Sequence, residues 1–85
     1  MASVEIYVKT TCSYCMRARR LLDEKKVDYA AYVVDFDSAK RQEMIQRADG
    51  RTTVPQVFIG GRHVGGCDDL MALEQRGELD RLLAA

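Results

Sequence analysis

Val4, Ile6 and Val8 alternate with Glu5 and Tyr7, the period-two pattern of a strand with one buried face, and the alternation stops at Lys9-Thr10-Thr11. From Ser13 to Lys26 the period lengthens. Cys15, Ala18, Leu21 and Leu22 form an apolar stripe while Arg17, Arg19, Arg20, Asp23 and Glu24 supply a wet face, which predicts an amphipathic first helix. Residues 29–36 are rich in Tyr, Val and Ala and predict a buried second strand. Asp37-Ser38 then offers capping oxygens to a helix that runs to about Ala48. After Asp49-Gly50, the strand-like runs Val57-Phe58-Ile59 and Arg62-His63-Val64 flank Gly60-Gly61 and predict a hairpin with a two-residue turn. Gly65-Gly66 closes it. Leu70, Met71 and Leu73 recur at helical spacing over residues 68–76, and Gly77 separates that helix from a last amphipathic turn around Leu79, Leu82 and Leu83. The predicted order is β-α-β-α-β-β-α, an α/β arrangement without repeat, linker or low-complexity tract.

Length and charge narrow the function classes. Eighty-five residues suffice for one small core, so a single domain over residues 1–85 is expected. Lys plus Arg and Asp plus Glu both number 13, which leaves no net field to draw in nucleic acid or an anionic membrane. No apolar run approaches the roughly 18 residues of a membrane span, and Met1-Ala2-Ser3 leads into the first strand without an apolar signal segment. A cytoplasmic location is expected. Three cysteines are an odd set for a secreted disulfide framework, and in a reducing compartment a Cys-x-x-Cys pair points to catalysis or metal binding.

That pair is Cys12-Ser13-Tyr14-Cys15, placed where the first strand gives way to the first helix. Cysteines three apart on a first helical turn share a side, within reach of a disulfide with a Cα separation of about 5.5 Å. Free N–H groups and the positive end of the helix dipole favour a thiolate on the leading cysteine, and Lys9 adds a positive charge nearby. Cys12 is therefore the candidate nucleophile and Cys15 the resolving thiol. The competing reading is a zinc site completed by His63 and Cys67, whose spacings also suit a tetrahedral ion. It leaves Pro55 unexplained, and Ser13-Tyr14 runs into a helix without the glycine of a tight knuckle. His63 is expected on the exposed side of the hairpin, Cys67 as a small, partly buried residue at a helix start, and Met16, Met44 and Met71 as packing.

Lys9-Thr-Thr-Cys12-Ser-Tyr-Cys15, Thr53-Val54-Pro55 and Gly65-Gly66-Cys67-Asp68-Asp69, in this order and spread over the whole chain, resemble the glutaredoxins of the short bacterial type. The element order with Cys-x-x-Cys after the first strand and a lone proline before the third is similar to the thioredoxin fold in its smallest form, a four-stranded mixed sheet flanked by helices. The departure is Ser13, where the family most often has proline.

The resemblance implies glutathione as co-substrate, and the residues offer what that peptide needs. Pro55 is the only proline and suits a cis bond that would turn Val54 outward as a docking edge, with Thr53 and Tyr14 beside it. Gly66, Cys67 and Asp68 open a helix whose N–H groups suit a carboxylate, with Asp68 for the ammonium and Asp69 as the stabilising acid of the first turn. Similarity to the family places Lys9 and Gln42 beside the glycine carboxylate, with Arg51 a further candidate there.

The activity so implied is reduction of protein–glutathione mixed disulfides by Cys12 alone and of protein disulfides by Cys12 with Cys15, in a monomer. Electrons would come from NADPH through glutathione reductase. Two alternatives stay open. One is a redoxin served by thioredoxin reductase, of the kind that reduces ribonucleotide reductase. The other is a carrier of a [2Fe–2S] cluster held between two protomers by Cys12 and two glutathiones, a property of some glutaredoxins with serine at the position of Ser13.

Overall fold

The computed structural model describes all 85 residues, Met1 to Ala85. The elements are β1 (Val4–Val8), α1 (Ser13–Glu24), β2 (Ala30–Val33), α2 (Ser38–Arg47), β3 (Gln56–Ile59), β4 (Arg62–Gly65), α3 (Cys67–Gln75) and α4 (Leu79–Ala84). The strands form one sheet in the order β2-β1-β3-β4, with β1 parallel to β2 and antiparallel to β3, and β3 antiparallel to β4. This mixed sheet between helices is the thioredoxin fold.

The alternation along β1 sorts its side chains onto two faces. Val4, Ile6 and Val8 join Val57 and Ile59 against Ala18 and Leu22 of α1, Leu70 of α3, and Leu79 and Leu83 of α4. Tyr7 points the other way, onto Phe58, Val34, Met44 and Ala48 under α2. Both helices begin as their cap residues dictate. Asp37 accepts the Lys40 N–H at 3.0 Å, and α1 stops where Lys25 caps it and Lys26 turns left-handed at φ 58°. The Lys25 ammonium then ties α1 to Glu74 and Asp80 at 2.8 and 2.9 Å.

The second strand departs from expectation. It covers only Ala30–Val33, and Ala30, Ala31 and Val33 are exposed. β2 is the edge of the sheet, covered on the α2 side through half-buried Tyr32, and the residue that becomes fully buried is Val34, just past its end. Apolar composition alone does not distinguish an edge strand from a central one. Phe36, expected within the strand, lies beyond it and is 85% exposed.

A polar network fastens α2 to the sheet. Arg47 donates to Glu5 from both terminal nitrogens, at 3.0 and 2.9 Å, donates to the Tyr7 hydroxyl at 2.8 Å, and lies 4.1 Å over the Phe58 ring. Tyr7 in turn donates to Glu43, and Tyr32 to Glu5. Burial, then the bond to Glu43, pushes the Tyr7 hydroxyl up to about 12, so it remains a donor. The Arg47 hydrogen bond holds Glu5 below the usual glutamate value of 4.5, and the Tyr7 bond does the same for Glu43. Carboxylates depressed in the folded state contribute stability above their ordinary pKa and lose it as pH falls through the folded value. Arg47→Ala is expected to destabilise the protein by about 2 kcal/mol in urea denaturation near neutral pH and to flatten the loss of stability below pH 4.5. An unchanged urea midpoint would show that the network does not hold α2.

Candidate active site

β1 delivers the chain into the turn at Thr10-Thr11, and Cys12 follows as the N-cap of α1 with extended backbone, φ −150° and ψ 110°. Its sulfur accepts the Cys15 N–H at 3.1 Å, and its carbonyl accepts the Met16 N–H at 3.1 Å. The sulfur thus takes the place that a serine or aspartate oxygen takes at an ordinary helix start, among the N–H groups a helix leaves unpaired.

The partner thiol is in a different environment. Cys15 is 2% exposed and packs among the apolar residues beneath α1. Burial first, and its hydrogen bond with Cys12 second, push the Cys15 thiol up to about 12, against the smaller opposing effect of the Lys9 backbone. Burial also pushes up the Cys67 thiol, which is 5% exposed at the start of α3. Of the three free cysteines, only Cys12 is half-exposed. An accessible sulfur at the helix start with a second thiol held protonated beneath it suits stepwise thiol–disulfide exchange.

Beside Cys12 runs the loop before β3. The Val54–Pro55 bond is cis, the Val54 carbonyl oxygen lies 4.0 Å from Cys12 Sγ, and the Val54 N–H has no backbone partner within the chain. Across from it, α3 starts at Cys67 with Gly66 as its N-cap. Gly66 has no side chain, so the cap is made in reverse: Asp69 reaches back and its Oδ2 accepts the Gly66 N–H at 2.9 Å. That bond, with Arg51 at 3.3 Å as a second partner, holds the Asp69 carboxyl below its usual range. It also explains Gly65. At φ 123° a side chain there would be strained, and its Cβ would run into the Asp69 carboxylate.

Tyr14, Thr53, Val54, Pro55, Gly66, Cys67 and Asp68 line one cavity of about 260 Å³, with Arg51 and Asp69 at its α3 end. The structure thus gathers most of the sequence candidates in one groove beside the Cys12 sulfur. Tyr14, 55% exposed, forms a wall, and Asp68 is exposed without an ion-pair partner, whereas Asp69 has the capping role. Lys9 and Gln42 are exposed but do not line this cavity. Arg51, read from sequence as a partner at the Lys9 end, stands instead beside Gly66 and Asp69. The sequence signal for that placement was weak, because only the loop path through Thr53 and Pro55 brings Arg51 to α3. His63 is not on an exposed face. Its ring lies 5.0 Å from that of Phe58, and its Nε2 is 2.6 Å from Gln56 Oε1.

The family profile described as Glutaredoxin matches residues 4–64. The chain belongs to the glutaredoxin family. It is 59% identical over 83 residues to glutaredoxin 3 of Escherichia coli K12, covering 98% of this chain and 99% of that one. It is 51% identical over 85 residues to the glutaredoxin of Pseudomonas aeruginosa, covering the whole of both. Among solved structures, a buckwheat glutaredoxin–glutathione complex superposes with a TM-score of 0.88 at 35% identity, covering 98% of this chain and 77% of that one. The glutaredoxin of Brucella melitensis gives 0.85 at 48% identity, covering 98% and 89%. As a glutaredoxin the chain is a thiol–disulfide oxidoreductase with glutathione as its substrate.

The contrast between thiols sets an expectation for labelling. A brief iodoacetamide pulse on the reduced glutaredoxin at neutral pH, read by peptide mass spectrometry, should modify Cys12 at least tenfold faster than Cys15 or Cys67. Equal labelling of Cys15 would mean that its burial does not keep it protonated and protected.

Proposed function

We propose that this glutaredoxin binds glutathione along the groove between Val54 and the start of α3 and uses Cys12 as its nucleophile. The observation that carries this reading is that the Cys12 sulfur lies 4.0 Å from the Val54 carbonyl oxygen at one side of that groove. The cysteine residue of glutathione pairs with the Val54 backbone, its γ-glutamyl carboxylate meets the N–H groups opening α3 with Arg51 near, and Asp68 takes the ammonium. Thr53, Pro55, Gly66 and Cys67 shape the groove, Tyr14 covers it, and Lys9 and Gln42 meet the glycine carboxylate outside the cavity.

In the monothiol route, the Cys12 thiolate attacks the glutathione sulfur of a mixed disulfide and the protein thiolate leaves, taking a proton from water. A second glutathione thiolate then attacks the glutathione sulfur on Cys12, releasing oxidised glutathione and restoring the Cys12 thiolate. For a protein disulfide, Cys12 forms a mixed disulfide with the client. Cys15 then attacks the Cys12 sulfur, its proton passing to the client thiolate that leaves, and the resulting Cys12–Cys15 disulfide is reduced by two glutathiones. Glutathionylated proteins and disulfide clients such as ribonucleotide reductase are the substrates, with a monomer working in the cytoplasm.

A second reading is favoured by Ser13, exposed where the family most often has proline: two protomers hold a [2Fe–2S] cluster through Cys12 and two glutathiones. Visible absorption after anaerobic purification with glutathione supports it, and a colourless protein counts against it.

The main reading is tested with NADPH, glutathione reductase, glutathione and a small mixed disulfide. Cys12→Ser should abolish activity, Cys15→Ser should keep deglutathionylation while losing protein-disulfide reduction, and Asp68→Ala should raise KM for glutathione several-fold with kcat little changed. Activity that needs thioredoxin reductase in place of glutathione would overturn it.

A further inference from the structure

The segment that carries the chain from β1 to Cys12 is held by a residue outside all three sequence motifs. Asp35 follows β2, at the end where β1 and β2 run parallel, and its Oδ2 accepts both the Thr10 N–H at 3.2 Å and the Thr10 hydroxyl at 2.6 Å. The partners are 25 residues apart in sequence, and Thr10 is two positions before the nucleophile. The other carboxylate oxygen, Oδ1, is buried without a hydrogen-bond partner. Leaving such an oxygen unsatisfied carries a desolvation cost. The Thr10 hydroxyl bond holds the Asp35 carboxyl below its usual range, with the charge of Lys9 adding to the effect, so the group is ionised at neutral pH.

We infer that Asp35 is a positioning residue for the exchange reaction: by clamping Thr10 through two hydrogen bonds to one oxygen, it sets the path of residues 9–11 and so where the Cys12 sulfur stands at the mouth of the groove. The geometric consequence is direct. Cys12 is both the N-cap of α1 and the neighbour of the Val54 carbonyl, and the turn at Thr10-Thr11 is the stretch of chain that leads to it from β1. Without the clamp, the sulfur keeps its chemistry but samples positions off the line of attack, and a displacement of about 1 Å is enough to cost up to a hundredfold in rate. Lys9, on the same strap and within reach of the Asp35 charge, is oriented by the same device. The inference rests on Cys12 being the nucleophile, as proposed above.

The test compares Asp35→Ala, Asp35→Asn, Thr10→Val and the Asp35→Ala/Thr10→Val double variant with wild type. Three readouts are used: steady-state kinetics with glutathione and a small mixed disulfide, iodoacetamide labelling of Cys12, and hydrogen exchange at the Thr10 amide by NMR. Asp35→Ala is expected to lower kcat about tenfold with KM for glutathione changed less than twofold, and to remove protection of the Thr10 amide. Asp35→Asn keeps an acceptor oxygen and should recover most of kcat and protection. The double variant should be no slower than Asp35→Ala, because both substitutions break the same tie. Wild-type kcat in Asp35→Ala despite a fast-exchanging Thr10 amide would overturn the inference, as would failure of Asp35→Asn to recover any of the loss. Labelling of Cys12 needs no glutathione. If the wild type proves inactive with glutathione, the proposed substrate site fails, while exchange at the Thr10 amide still decides whether Asp35 clamps the segment that leads to Cys12, with labelling of Cys12 expected unchanged.

Discussion

The bond from the Cys15 N–H to the Cys12 sulfur is the interaction around which the site is arranged. It makes the reactive atom a structural part of α1, so the helix cannot begin without placing the sulfur among its unpaired donors. The remaining architecture presents other groups to that fixed atom. β1 brings the chain to it, the loop before β3 sets the Val54 carbonyl beside it, and α3 starts with its free N–H groups at the far end of the same groove. The contrast with Cys15 follows from the same helix. A residue three positions on faces inward, and burial there keeps its thiol protonated while Cys12 stands at the surface.

The two faces of the sheet divide the work. The face under α1, α3 and α4 is apolar and includes Cys15 and Cys67, so the redox helix is seated on a dry core. The face under α2 is polar at its rim, where Arg47, Glu5, Tyr7 and Glu43 satisfy one another across elements far apart in sequence. Ion pairs at this partial burial are worth having only because hydrogen bonds complete them. The α2 side needs them more, since its apolar cluster is much smaller than the one opposite.

Much of this was legible in the residues, for identifiable reasons. The alternation of Val4, Ile6 and Val8, the stripe through Cys15, Ala18 and Leu22, the Asp37 cap and the Gly60-Gly61 turn each encode structure locally, and each element lies where its pattern puts it. What failed was long-range. Residues 29–36 were apolar enough for a central strand, but the topology set β2 at an edge. His63 was expected to be wet, and the partners that draw it in, Phe58 and Gln56, lie across the hairpin. Arg51 was offered for the glycine carboxylate, and its contact with Asp69 at the start of α3 is not legible from sequence, because sequence distance does not tell which helix a loop side chain will meet. Asp35 carried no motif at all, and only the parallel pairing of β1 and β2 reveals its hold on Thr10.

As proposed above, one groove, from the Cys12 sulfur past Val54 to the first turn of α3, orients glutathione for exchange. The most direct measurement is an experimental structure of Cys15→Ser trapped as its Cys12–glutathione mixed disulfide. The glutathione cysteine is expected to pair with the Val54 backbone, with its γ-glutamyl carboxylate on the N–H groups opening α3 and its ammonium at Asp68. A glutathione moiety disulfide-linked to Cys12 but lying away from Val54 and α3 would contradict it.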